Sequence, residues 1–203
     1  MMKAPTRLGA FVLLAMALNG CYVPVRFDAE VVVTKRGLYE MFFAGYMADT
    51  DLYDGLRQGK ILPIAERKKV TRIETDLTRD SATKKFKYIK RGFFELNWEK
   101  KGDLLRVRNV TFIRRNEEIL TVSYVEETGE ITMRGKSISK ANARKLLDIG
   151  LNSEGEIRFV TDLRVISSNA TGKRPHKARP GYTEYFWTIK KLGDSAPKIV
   201  ATF

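Results

Sequence analysis

Apolar and polar residues alternate over most of this chain, a pattern that predicts strands with a few helices set among them. Residues 23–34 (VPVRFDAEVVVT) read as a strand that enters a turn at Lys35-Arg36-Gly37. Residues 38–48 (LYEMFFAGYMA) are nearly all apolar, and run length leaves them open between a buried strand and a short buried helix. Asp49-Thr50-Asp51 ends that run. Pro63 then opens a helix over 63–80, because proline suits a first helical turn. Glu66 falls near the positive N-terminal end, where a carboxylate is stabilised. Val70, Ile73 and Leu77 form its i, i+3, i+7 stripe, which predicts a helix lying on a sheet.

Over 84–134 the period shortens to two. Phe94, Leu96 and Trp98 alternate with Glu95 and Asn97, so the two sets point to opposite faces. Gly92 suggests a bulge that changes the facing. Lys101-Gly102-Asp103 reads as a turn, with strands at 106–115 and 118–126 around Asn116. Thr128-Gly129 turns into 130–134, and such short connections make an antiparallel meander. Ser139 caps a second helix whose Ala143, Leu146 and Leu147 share a face, and Gly150 stops it. Residues 156–166, 182–191 and 198–203 are further strands, and 167–181 is a long polar, basic loop. The fold class is α+β: a curved antiparallel sheet with at least two helices packed on it.

The start of the chain follows a different pattern. Lys3 and Arg7 precede eleven uncharged residues, 8–18 (LGAFVLLAMAL). A membrane-spanning helix needs about 20 apolar residues, so this run fits an export signal better than a span. Leu18-Asn19-Gly20-Cys21 resembles the lipobox of bacterial lipoproteins, although Asn19 stands where a small or hydroxyl residue is usual. That resemblance implies a signal peptide over 1–20, cleavage before Cys21, a diacylglycerol on its thiol and an acylated amino group. A thiolate is the nucleophile such a reaction needs, and two or three acyl chains anchor stably. Residues 21–203 are then one periplasm-facing α+β domain. Tyr22, where an aspartate would favour the inner membrane, points by the same resemblance to the outer one.

Charge sharpens the picture. The chain carries 37 Lys+Arg against 24 Asp+Glu, net +13, and loses only Lys3 and Arg7 with the leader. Such a balance concentrates anions at the surface. The expected partners are the membrane through the anchor, anionic lipid or lipopolysaccharide, and envelope proteins. Nucleic acid is excluded by compartment. Hydrophobic residues at 43% exclude a disordered chain. One cysteine, taken by the anchor, leaves no disulfide.

Candidate chemistry is sparse. His176, the single histidine, lies in Lys173-Arg174-Pro175-His176-Lys177-Ala178-Arg179 without a Gly-x-Ser-x-Gly elbow. Lys173, Arg174, Lys177 and Arg179 therefore read as an anion-binding group, since their donors suit phosphate. Asp49, Asp51 and Asp54 before Gly55 look like the opening of a calcium loop, but Tyr53 and Lys60 occupy ligand positions. Capping is the better role for Asp49 or Asp51. Glu117-Glu118 and Glu126-Glu127 are strand neighbours, so neither pair converges. One histidine and one anchored cysteine give no zinc spacing. Catalysis, a cofactor and a metal are not expected.

Phe86, Tyr88, Phe93, Phe94 and Trp98 interleave with Lys84, Lys85, Lys87, Lys90 and Arg91. They read as a half-buried strand with a solvated basic face, or as a binding platform. Phe94, Trp98, Phe112, Phe159 and Trp187, with Phe42 and Phe43, read either as the lining of a cavity for an acyl chain on the concave face of the sheet or as plain core. The layout is similar to that of the outer-membrane lipoprotein receptor LolB, whose half-barrel holds acyl chains. Val165-Ile166-Ser167-Ser168-Asn169-Ala170 with Tyr185-Phe186-Trp187-Thr188-Ile189 resembles the closing hairpin of LppM-like lipoproteins. The other function class open to such a domain is an interaction module in an envelope assembly.

Overall fold

The structure, a computed structural model, describes residues 22–114 and 117–203. The predicted signal peptide and Cys21 lie outside the described residues. Strand β1 (Tyr22–Val33) pairs with β2 (Leu38–Asp49) from Tyr22↔Asp49 to Val33↔Tyr39. Two short steps follow, α1 (Thr50–Arg57) and α2 (Pro63–Thr78). The chain returns through β3 (Thr83–Lys90) and β4 (Phe93–Asp103), then through α3 (Leu104–Val107) into a second sheet. That sheet begins with the meander β5 (Asn109–Arg114), β6 (Glu117–Val125) and β7 (Glu130–Gly135). Helix α4 (Lys140–Asp148) leads to β8 (Glu154–Thr161) and β9 (Arg164–Ser168). Strands β10 (Gly172–Pro175), β11 (Thr183–Ile189) and β12 (Lys198–Thr202) complete the order.

The fold is α+β, as the sequence pattern predicts, with two curved and largely antiparallel sheets. Seven strands run β10-β11-β8-β1-β2-β4-β3 and five run β5-β6-β7-β12-β9. Among the described residues only β1 and β8 pair in parallel. The inward residues of both sheets form one core. Phe43 of the first sheet stacks on Phe112 of the second with centroids 4.3 Å apart, and Trp98 meets Phe112 edge-on at 5.2 Å.

Several boundaries differ from expectation for identifiable reasons. Residues 38–48 are strand throughout, because Tyr39, Met41, Phe43 and Met47 alternate inward while Leu38, Phe42 and Tyr46 stay exposed. Gly92 is not a bulge. With Arg91 at φ 52° and Gly92 at φ 79°, the pair makes the two-residue turn between β3 and β4 that suits antiparallel twist. The register shifts instead at Thr83/Lys85 and Tyr88/Lys90. Lys101-Gly102-Asp103 finishes β4, and the turn is α3, whose first turn Asp103 caps through Leu105 N–H. Residues 156–166 are two strands in two sheets. Thr161 Oγ1 donates to the Val33 carbonyl at 2.7 Å and accepts from Leu163 N–H at 3.1 Å, which turns the chain out of the first sheet. Within the expected basic loop, residues 172–175 pair as edge strand β10.

Both predicted helices form. Helix α2 buries Ile73 and Leu77, and Tyr88 of β3 donates a 2.5 Å hydrogen bond to Glu66 in its first turn. Helix α4 is capped by Ser139, whose hydroxyl accepts from Asn142 N–H at 3.2 Å. Ala143 and Leu146 pack it against Val23 and Leu192. Among the described residues no helix is long and apolar enough to cross a membrane.

Candidate functional site

The aromatic residues that read as cavity lining or as plain core are core. Phe94, Trp98, Phe112, Phe159 and Trp187 are each at most 3% exposed and belong to one packed cluster with Phe43. Their rings pack on one another within the core, and Trp98 also borders a recess of about 220 Å³ with Leu77, Thr83 and Ile113. Phe42 lies on the other face of β2 and is exposed. The platform expected over 84–98 divides likewise. Phe94 and Trp98 point inward, Phe86 and Tyr88 are half-buried against the core, and Lys84, Lys85, Lys87 and Lys90 are exposed.

The protein itself pairs two of the four cations of the basic segment, Arg174 and Arg179, with carboxylates. The Arg174 guanidinium sits 2.5 Å from the buried Glu184 carboxylate and 4.8 Å over the Phe186 ring. Arg179 makes two 3.2 Å hydrogen bonds to Glu40 of β2. His176 Nε2 is 4.0 Å from Glu184. Lys173 and Lys177 are exposed. This charge lattice continues across the outer face of the seven-stranded sheet. Arg158 reaches Asp28 at 2.8 Å, Glu30 at 3.0 Å and Glu156 at 3.1 Å. Burial works against the Arg158 charge, yet hydrogen bonds to Asp28, Glu30 and Glu156 raise its pKa above the ordinary value.

A larger space lies elsewhere. A cleft of about 500 Å³ opens between α1 and the segment carrying α4. Its size is typical of small-molecule pockets. Tyr22, Val23, Ile138, Leu146 and Ile149 supply apolar lining, while Lys60, Lys136 and Lys145 bring ammonium groups. Thr50, Gln58, Ser139 and Asn142 add hydrogen-bonding groups. Tyr53 of α1 donates to the Ile149 carbonyl at the end of α4 at 3.0 Å and ties the two walls together. A smaller recess of about 90 Å³ shares Tyr22, Val23, Lys136 and Ile138.

Two acids also reach the cleft. Asp54 is engaged by Arg57 at 2.8 Å and Gln58 at 2.5 Å. Burial raises the pKa of Asp51, as does Asp49, and Lys69 offsets part of that rise. Asp49 itself caps α1, accepting from Leu52 N–H at 2.8 Å, which is the capping role expected for it. The arrangement is an apolar slot whose polar parts carry three lysines and two acids, one of them, Asp54, engaged by Arg57 and Gln58. That chemistry accommodates a hydrocarbon chain beside an anionic head.

Sequence reasoning missed the cleft because it missed α1. The signal was present: Asp49 as a cap, followed by Leu52 and Leu56 at i, i+4 spacing, one buried and one half-buried.

No protein-family model matches the chain, and no curated protein matches it in sequence. Among solved structures it is similar to the NMR structure of the folded domain of the Mycobacterium tuberculosis LppM protein. The identity is 12%, the TM-score 0.45, and 91% of each chain is covered. A likeness this distant carries no argument about function.

Proposed function

We propose that this chain is a bacterial envelope lipoprotein, held at a membrane by acyl groups on Cys21, whose domain binds an anionic amphiphile in the α1–α4 cleft. In this reading the protein performs no catalysis. The observation that carries it is the position of Tyr22 and Val23. They follow Cys21 directly and line the cleft that Lys60 and Lys145 also line. Consecutive Cα atoms are about 3.8 Å apart, so an anchor at Cys21 keeps the cleft beside the bilayer. Lys60, Lys136 and Lys145, which line the cleft with Tyr22, draw anionic lipid or lipopolysaccharide toward that end.

Titration of the Cys21→Ser protein with lysophosphatidylglycerol, a single-chain anionic lipid, tests the binding. The expected result is saturable 1:1 binding with a raised Tm, lost in Asn142→Trp. Asn142 is an exposed helix position lining the cleft, so its replacement fills the slot without disturbing the core. Absence of saturable binding contradicts the reading.

The interaction-module reading has one structural feature in its favour. Strand β9 closes the five-stranded sheet as an edge, and Ile166 on it is exposed. An edge of this kind accepts another strand. A stoichiometric envelope protein recovered with the wild type and lost in Ile166→Lys favours that alternative.

A further inference from the structure

We propose that the corner loop made by Leu62 and the first residues of α2, Pro63-Ile64-Ala65, inserts into an anionic bilayer and sets the orientation of the domain on it. The proposal rests on the reading that Cys21 holds the chain at a membrane. Four consecutive apolar residues are exposed here, Leu62 at 71% and Ile64 at 65%. A run like this on a soluble surface is unfavourable unless something covers it. It is not the packing face of α2 left over, because that face is already made by Val70, Ile73 and Leu77 against the core.

The flanking charge identifies the cover. Lys60 precedes the loop, and Arg67, Lys68 and Lys69 follow it, all exposed. Aliphatic side chains ringed by ammonium and guanidinium groups match an acyl layer beneath anionic head groups. A protein partner of opposite charge offers no hydrocarbon layer at that depth, so the bilayer is the better fit.

The loop is also in the right place and held firmly. Lys60 lines the same cleft as Tyr22, so loop and chain entry meet at one opening. The Tyr88–Glu66 hydrogen bond fixes the start of α2 beside the β3–β4 hairpin, whose tip adds Lys90 and Arg91. Lys60 N–H donates to the Gly55 carbonyl at 2.9 Å, and Glu66 N–H to the Leu62 carbonyl at 2.9 Å. Proline at the first position of α2 restricts the loop further.

The opposite end supplies a control. Val107 is also exposed, but it ends α3, whose Leu104 N–H donates to Gly37 in the turn between β1 and β2. The twelve residues of β1 separate that end from Tyr22 by roughly 35 Å. Two single variants, Ile64→Trp and Val107→Trp, are prepared in the full, envelope-purified protein. Each is reconstituted on phosphatidylglycerol vesicles whose acyl chains carry bromine. Trp98 and Trp187 are buried and give a constant background.

The expected result is quenching of the added Ile64→Trp indole by roughly half, with Val107→Trp unaffected, as insertion to the head-group boundary requires. Equal quenching of both, or of neither while the protein floats with the vesicles, overturns the inserted loop and leaves the anchor standing. In a second measurement Leu62→Asp with Ile64→Asp, both exposed, lowers vesicle binding of the Cys21→Ser protein about tenfold. Unchanged binding overturns the inference. Mass spectrometry of the envelope-purified Ile64→Trp and Val107→Trp proteins reads Cys21, and a chain without acyl groups there overturns the anchored reading and this inference with it.

Discussion

The hydroxyl of Tyr53 donates to the carbonyl of Ile149 at 3.0 Å, joining residues 96 positions apart in the chain. The Tyr53 ring also meets Phe93 edge-on at 5.2 Å, so α1, the β3–β4 hairpin and the end of α4 share one side chain. Tyr53→Phe keeps the ring and removes the bond. It is expected to cost about 1 kcal/mol in thermal unfolding. Faster amide exchange in α4, with slower exchange nowhere, checks that the loss is local to this wall.

Asp51 gives the cleft a pH dependence. Burial and Asp49 raise its pKa, so the carboxylate ionises later than an ordinary one as pH rises. Asp54 adds to this rise and Lys69 opposes it. Once ionised, Asp51 repels an anionic head that Lys60 and Lys145 attract. Lysophosphatidylglycerol, whose phosphodiester stays charged throughout, is expected to bind about threefold more weakly above that pKa than below it. Calorimetric titration of Asp51→Asn is expected to lack this step and to match the tighter, low-pH binding.

Tyr88 makes an alkaline prediction. Burial and its hydrogen bond to Glu66 push its pKa up to about 12. The folded state therefore holds the phenolic proton more tightly than the unfolded chain. The stabilisation is complete below the unfolded value near 10 and is lost as pH rises through about 12. Tyr88→Phe is less stable at neutral pH, and its disadvantage relative to wild type is expected to shrink across that window. Denaturant melts at stepped pH measure it.

Phe112 and Phe42 separate a packed core from an open sheet face. Phe112 contacts Phe43 and Trp98 and is 2% exposed, so Phe112→Ala is expected to destabilise by about 4 kcal/mol. Phe42→Ala, on the exposed face, is expected to cost under about 1 kcal/mol. Comparable losses in urea titrations contradict the placement of these rings.

Local pattern carried much of the fold. The stripe Val70, Ile73, Leu77 and the cap Ser139 marked α2 and α4, and alternation marked β4 through β7. The parallel pairing of β1 with β8 was not legible, because partner choice across more than a hundred residues leaves no local trace. Nor was the fate of Arg174 and Arg179. Glu184 faces Arg174 across the β10–β11 pair, a pairing hidden in what reads as a loop, and Glu40 reaches Arg179 from β2, 139 positions away, so only the assembled sheet brings the charges together. The aromatic residues were recognised as inward, but alternation does not say whether an inward face is filled or hollow. The cleft, in contrast, is built from short connections around α1 and α4, where periodicity is weakest.

The most direct measurement is photo-crosslinking of the envelope-purified protein with a diazirine-bearing, single-chain anionic lipid, mapped by mass spectrometry. The account predicts one adduct per chain, on peptides carrying Val23, Ile138, Leu146 or Ile149, and its loss in Asn142→Trp. Adducts that never saturate, or that fall elsewhere and ignore Asn142→Trp, contradict it.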